Sequence, residues 1–240
     1  MPTSDTNCAI LCSCSQRGLI PSDSVNTTRD KLTSQGWQVI VIPDLCEMAI
    51  KDSDTLRDLA SAPNFLVTAC RSRAARWLLH QAGISRPVSQ IQFQDIRPQP
   101  SSPLTSANPS SVNDSSPSWP AWFPVIDYDR CTGCRQCVSF CAFGVYSISG
   151  KTVNVTAPSN CKDNCPACAR ICPALAIMFP KVTDTPINGD EVTDSHLAAM
   201  RASIATAKRD GANGDMHSIL AARRARQPAS HQDGKASSPA

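Results

Sequence analysis

The sequence predicts an α/β N-terminal part built on a small parallel sheet, followed by a cysteine-dense α+β part. Three observations carry that expectation. Short apolar runs alternate with helix-like segments between residues 8 and 93. A Pro/Ser-rich stretch, RPQPSSPLTSANPSSVNDSSPSWP (97–120), then breaks the periodicity. After it come two copies of one cysteine spacing.

The runs CAIL (8–11), QVIVI (38–42) and NFLVTA (64–69) read as buried strands, with IQF (91–93) as a fourth. The helices between them have recognisable ends: Ser24 to Gln35 before Gly36, Ser53 to Ala60 before Pro63, and Arg71 to Gln81 before Gly83. In the last, Ala74, Trp77, Leu78 and Gln81 share one face, with polar or basic residues elsewhere. Strands alternating with helices predict a parallel sheet. The expected division is an α/β cysteine-bearing part at 6–96, a semi-extended linker at 97–120, a cysteine-dense part at 121–182 and a polar tail at 183–240. Within the tail, HLAAMRASIATAKRD and MHSILAARRARQ read as amphipathic helices, and QPASHQDGKASSPA as disordered.

The 240 residues carry a formal charge of +3, so nothing in the balance calls for nucleic acid or a membrane surface. No apolar run is long enough to span a bilayer. MPTSDTNCAI lacks the basic and apolar regions of a secretory signal. Thirteen cysteines without such a signal predict a reducing, cytoplasmic setting in which thiols bind metal. No P-loop, nucleophile elbow or paired-carboxylate signature is present, and the four histidines are scattered.

The stretch CTGCRQCVSFCAFG places Cys131, Cys134, Cys137 and Cys141 within eleven residues. Cys161, Cys165, Cys168 and Cys172 repeat the pattern with one extra residue in the first gap. Short apolar segments, VYSI (145–148) and AIMF (176–179), follow the two copies. A duplication of this kind predicts two equivalent metal sites. Three thiolates on a tight loop can hold three corners of a cubane cluster, and the fourth, one helical turn on, points away from its own loop. In paired sites of this spacing the fourth cysteine serves the other cluster. One site is therefore assigned Cys131, Cys134, Cys137 and Cys172, and the other Cys161, Cys165, Cys168 and Cys141. Paired C-x2-C motifs can also bind zinc, but a zinc site has no use for the triple spacing.

Residues 123–180 resemble bacterial-type ferredoxins with two 4Fe–4S clusters, and all eight ligand positions match. The resemblance implies a ferredoxin-like, pseudo-twofold α+β fold around the clusters. It also implies electron transfer between redox protein partners, with a larger oxidoreductase expected among them. Two departures stand out. Ala142 occupies a position where proline is usual, and the extra residue between Cys161 and Cys165 enlarges one loop. Residues 125–180 carry five Arg/Lys and three Asp, so two loaded clusters of net charge about −2 each would make this part slightly acidic.

Of the remaining cysteines, Cys12 and Cys14 follow the first strand, Cys46 the second, and Cys70 ends the third. In a parallel sheet these strand ends share one edge, where ligands of open α/β sheets collect. Cys8, inside the first strand, reads as a small buried residue. The order ILCSC, DLCEMAI, LVTACRSR resembles the N-terminal segment of the HdrA component of heterodisulfide reductase, which belongs to flavin and iron–sulfur assemblies. Ser15 stands where a glycine is expected, and no flavin-binding G-x-G-x-x-G follows, so no flavin site is carried over. Cys12, Cys14, Cys46 and Cys70 are thus candidates for a third metal site or a redox-active thiol set, against the simpler reading as buried structural cysteines. The expected function is electron transfer through two 4Fe–4S clusters, with a third iron–sulfur cluster as a candidate at the N-terminal set. The alternatives are an oxidoreductase subunit with thiol/disulfide chemistry at the N-terminal cysteines, and a redox-sensing interaction protein.

Overall fold

The computed structural model describes residues 7–84, 86–97 and 119–209. In chain order the N-terminal part comprises β1 (Cys8–Cys12), α1 (Ser22–Ser34), β2 (Gln38–Ile42), α2 (Leu45–Lys51), α3 (Ser53–Leu59), β3 (Phe65–Ala69), α4 (Ser72–Gln81) and β4 (Ile91–Asp95). The four strands form one parallel sheet in the order β2-β1-β3-β4. β1 and β3 are central and buried along their whole length, which is why CAIL and FLV run apolar without alternating. Helix α2 was not expected. It starts where Asp44 accepts a hydrogen bond from the Glu47 amide at 3.0 Å, an N-cap whose signature, Asp-x-x-Glu, is present in DLCE.

The strand order decides where a site can form. β1 leads to β2 on one side, and the chain then returns to place β3 on the other. The gap between the carboxyl ends of β1 and β3 is therefore the topological switch point of the sheet.

The cysteine-dense part holds β5 (Val125–Ile126), α5 (Gln136–Phe140), β6 (Tyr146–Ser149), β7 (Thr152–Val155), α6 (Ala167–Ile171) and β8 (Ile177–Met178). β5 pairs antiparallel with β8, and β6 with β7. The expected segment VYSI becomes β6 and AIMF contains β8, while β7 had no counterpart among the expected strands. Helix α7 (Asp194–Arg209) matches the first expected tail helix. The second, together with positions 98–118 of the linker and the last segment of the tail, lies outside the described residues. No helix among the described residues is long and apolar enough to cross a membrane.

The two parts share a core. Ala121, Phe123, Val125 and Met178 of the second part pack in one cluster with Leu11, Phe65 and Leu78 of the first. Buried ion pairs cross the same boundary: Arg73–Asp127 at 2.7 Å, Arg71–Asp190 at 2.8 Å and Lys181–Asp44 at 2.6 Å. Arg73 departs from the expectation that basic residues line the outer face of α4. It is 7% exposed because the second part covers it and supplies a full set of acceptors: Asp127, the Leu175 carbonyl at 2.8 Å and the Asp190 carbonyl at 3.2 Å. Gly189 seals the contact. Its φ is +98°, and a Cβ there would lie 2.8 Å from the Ala74 Cβ on α4, so no larger residue fits.

Candidate metal centres

The sequence duplication is repeated in the backbone. Gly133 and Asn164, each one residue before the second cysteine of its loop, both have positive φ, as do Gly144 and Leu175, three residues after the last cysteine of each copy. Glycine and asparagine tolerate that conformation best. At Gly133 the reason is also steric, since a Cβ would lie 2.6 Å from the Lys151 carbonyl in the β6–β7 turn. Helix α5 begins at Cys137's neighbour Gln136 and is capped at its C-terminal end by Cys141, whose amide donates to the Cys137 carbonyl at 3.1 Å. One turn of helix thus carries Cys141 away from its own loop.

The consequence is a crossed arrangement of thiols. Cys131, Cys134 and Cys137 line a narrow cavity together with Cys172. Cys161, Cys165 and Cys168 line a second cavity with Cys141. The second is much wider, about 700 Å³, and open; its rim includes Phe143, which is 45% exposed. Among the described residues no three His, Cys, Asp or Glu side chains close on a point where one metal ion could sit.

Electrostatics shows thiols acting on one another within each cavity. Burial, then Cys172, Cys134 and Cys131, push the Cys137 thiol up to about 12. Burial, then Cys165, Cys141 and Asp163, push Cys161 up to about 12. Cys137 and Cys161 thus resist ionisation by themselves, a penalty that bound iron would remove by supplying positive charge. The donor sets suit iron–sulfur clusters in both number and softness. Hydrogen bonds to sulfur are already in place: the Tyr146 hydroxyl donates to Cys168 Sγ at 3.0 Å, and the Ala176 amide to Cys172 Sγ at 3.3 Å. The enlarged loop of the second copy is gripped from the N-terminal part, where Arg17 pairs with Asp163 at 2.6 Å and lies 5.4 Å from the Trp122 ring centre.

The N-terminal cysteines converge as well. Cys12, Cys14, Cys46 and Cys70 line one small buried cavity at the switch point of the sheet. Cys12 ends β1, Cys14 follows it in a left-handed conformation, Cys46 sits in the first turn of α2, and Cys70 follows β3. The Leu45 amide donates to Cys12 Sγ at 3.3 Å. The neighbouring Cys14 thiol holds Cys70 below the usual thiol range against its burial, with Arg71 and Arg97 acting in the same direction. The same interaction, and then burial, push Cys14 far up. Burial, then Cys70 and Asp44, push Cys12 up to about 12. Cys8, fully buried within β1, is not among the cavity's lining residues.

Several residues around these sites escaped the sequence reading. Asp44 and Lys181 form an ion pair at the N-terminal cavity, and Arg71 and Arg97 both donate to the Cys70 carbonyl. Only Asp44 had a local signal, its capping motif. Lys181 and Arg71 are single charges whose acidic partners, Asp44 and Asp190, lie far away in sequence.

Comparison with known proteins agrees with the site geometry in the cysteine-dense part. Residues 123–146 match the family described as a 4Fe-4S binding domain. An uncharacterized ferredoxin of Methanocaldococcus jannaschii is 46% identical over 61 residues, which is 25% of this chain and 42% of that relative. The chain therefore spans less than half the length of the curated relative it matches. No solved structure matches. The two matches support an iron–sulfur electron-transfer role with at least one 4Fe–4S cluster.

Proposed function

We propose that this protein is an electron carrier that holds two 4Fe–4S clusters in its tandem loops and a third iron–sulfur centre at its N-terminal quartet, relaying electrons between redox enzymes. The observation that carries the reading is the crossed pair of four-thiol cavities. Cys131, Cys134, Cys137 and Cys172 would hold one cluster, and Cys161, Cys165, Cys168 and Cys141 the other. Each cluster, when bound, supplies a one-electron centre whose potential follows its charge, hydrogen bonding and exposure. The chain's own residues set those properties. Tyr146 and the Ala176 amide place positive hydrogen-bond dipoles on ligand sulfurs, and the buried wall of Trp122, Phe179 and Ile177 keeps water from the inner side. The open rim beside Cys141 and Phe143 is the face at which a partner protein, such as a larger oxidoreductase, would bring its own redox centre close.

The third centre is supported by the convergence of Cys12, Cys14, Cys46 and Cys70, whose order along the chain resembles the HdrA component of heterodisulfide reductase. A second reading of the quartet, dithiol–disulfide exchange, is favoured by the Cys14 and Cys70 thiols lining one cavity, with Cys70 held below the usual thiol range. Anaerobic purification of the iron-replete full chain separates these possibilities. Two clusters give about eight iron and eight sulfide per chain, and a third of the same type gives about twelve. Stoichiometric zinc without acid-labile sulfide would overturn the iron–sulfur reading. Eight iron together with a Cys14–Cys70 disulfide in the oxidised protein would favour the thiol reading.

A further inference from the structure

The N-terminal quartet is not enclosed by the N-terminal part alone. Lys181, two residues past Phe179 at the end of the cysteine-dense part, inserts its side chain into the wall of the same cavity. Its Nζ lies 2.6 Å from Asp44 and donates to the Pro120 carbonyl at 2.8 Å. The side chains of the pair are only 2% and 1% exposed. Pro120 and Lys181 stand at the two ends of the cysteine-dense part, so the pair clasps both ends to the first turn of α2. That turn carries Cys46 and the Leu45 amide that donates to Cys12.

Stability does not account for such a pair. Removing two charges from water costs about as much as their attraction returns, and packed apolar residues would serve as well. Its location supplies another reason. Away from water, a fixed charge acts strongly on any neighbouring charge, and a centre that gains an electron changes charge by one unit.

Resting on the reading of the quartet as a third iron–sulfur centre, we propose that Lys181 and Asp44 are a paired electrostatic control that sets its reduction potential. Lys181, delivered by the cysteine-dense part, favours the added electron; Asp44 opposes it. The N-terminal centre therefore reaches its working potential only with the second part docked against it.

The test uses the full chain, reconstituted anaerobically, with iron counted and potentials read by EPR-monitored titration. Lys181→Met should lower the equilibrium constant for reducing this centre about tenfold, a shift of about 59 mV to more negative potential for a one-electron couple. Asp44→Asn should move it in the opposite direction by a similar factor. Lys181→Arg, which keeps the charge, should stay near the wild type. A merely structural role predicts lost iron in both single variants without opposed shifts. Where Lys181→Met fails to retain the centre, Asp44→Asn and Lys181→Arg still decide, because a potential that does not rise in the first or is not kept in the second overturns the proposal. Shifts of the same sign, or unchanged potentials with all three centres loaded, also overturn it. A wild-type chain that binds only about eight iron overturns the third centre itself and this proposal with it.

Discussion

Replacing Arg73 by methionine tests whether the two parts form one cooperative unit. Methionine keeps the length of the side chain and most of its packing, so the loss is electrostatic. Asp127 would remain 4% exposed without its partner at 2.7 Å, and the Leu175 carbonyl would lose its 2.8 Å donor. Breaking a buried pair from one side costs about 3–5 kcal/mol. Here the lower end applies, because Asp127 still accepts from the Arg130 amide at 3.3 Å. With a urea dependence of about 2 kcal/mol per molar, a loss of about 3 kcal/mol moves the midpoint down by about 1.5 M. The damage should reach the cluster site as well. Leu175 has a strained φ of +52° and lies in the turn after Cys172, next to the Ala176 amide that donates to the Cys172 sulfur. The assay is an anaerobic urea titration followed by far-UV circular dichroism and by visible cluster absorbance. The expected result is one shifted transition in both signals. A midpoint within about 0.3 M of the wild type, or a shift in only one signal, would refute the argument that Arg73 joins the two parts into a single unit.

Two further outcomes follow from the tandem loops. Cys141→Ser should damage the cluster assigned to Cys161, Cys165 and Cys168, and Cys172→Ser the one assigned to Cys131, Cys134 and Cys137; EPR of each variant would expose an uncrossed arrangement as loss at the mutated residue's own loop. Tyr146→Phe removes the 3.0 Å bond to Cys168 Sγ and nothing else polar, so that cluster's potential should become more negative with iron content unchanged. An unchanged potential in a redox titration would count against tuning by this hydroxyl.

Local chemistry made much of this protein legible from its sequence. The strands at CAIL, QVIVI, FLVTA and IQF, the helices between them and the two cysteine loops all follow from short-range patterns: apolar runs, end signals and fixed spacings along one turn of helix. Even the crossing of Cys141 and Cys172 is local in origin, since a single turn after each loop turns the last thiol away. The short helix α2 was missed, although the capping motif DLCE carried its local signal.

Tertiary structure alone decided the rest. The sequence already placed Cys12, Cys14, Cys46 and Cys70 at one edge of a parallel sheet; the order β2-β1-β3-β4, with its switch point between β1 and β3, decides that they line a single cavity there. Strand order depends on which crossover buries more apolar surface, a property of the whole sheet that no window of sequence contains. The same holds for Arg73, Lys181 and Gly189. A lone arginine or lysine reads as a solvated surface charge, and a lone glycine as a turn. Their burial follows from the shared core that packs the second part onto α4, with carboxylates more than fifty residues away in the chain arriving to meet the charges.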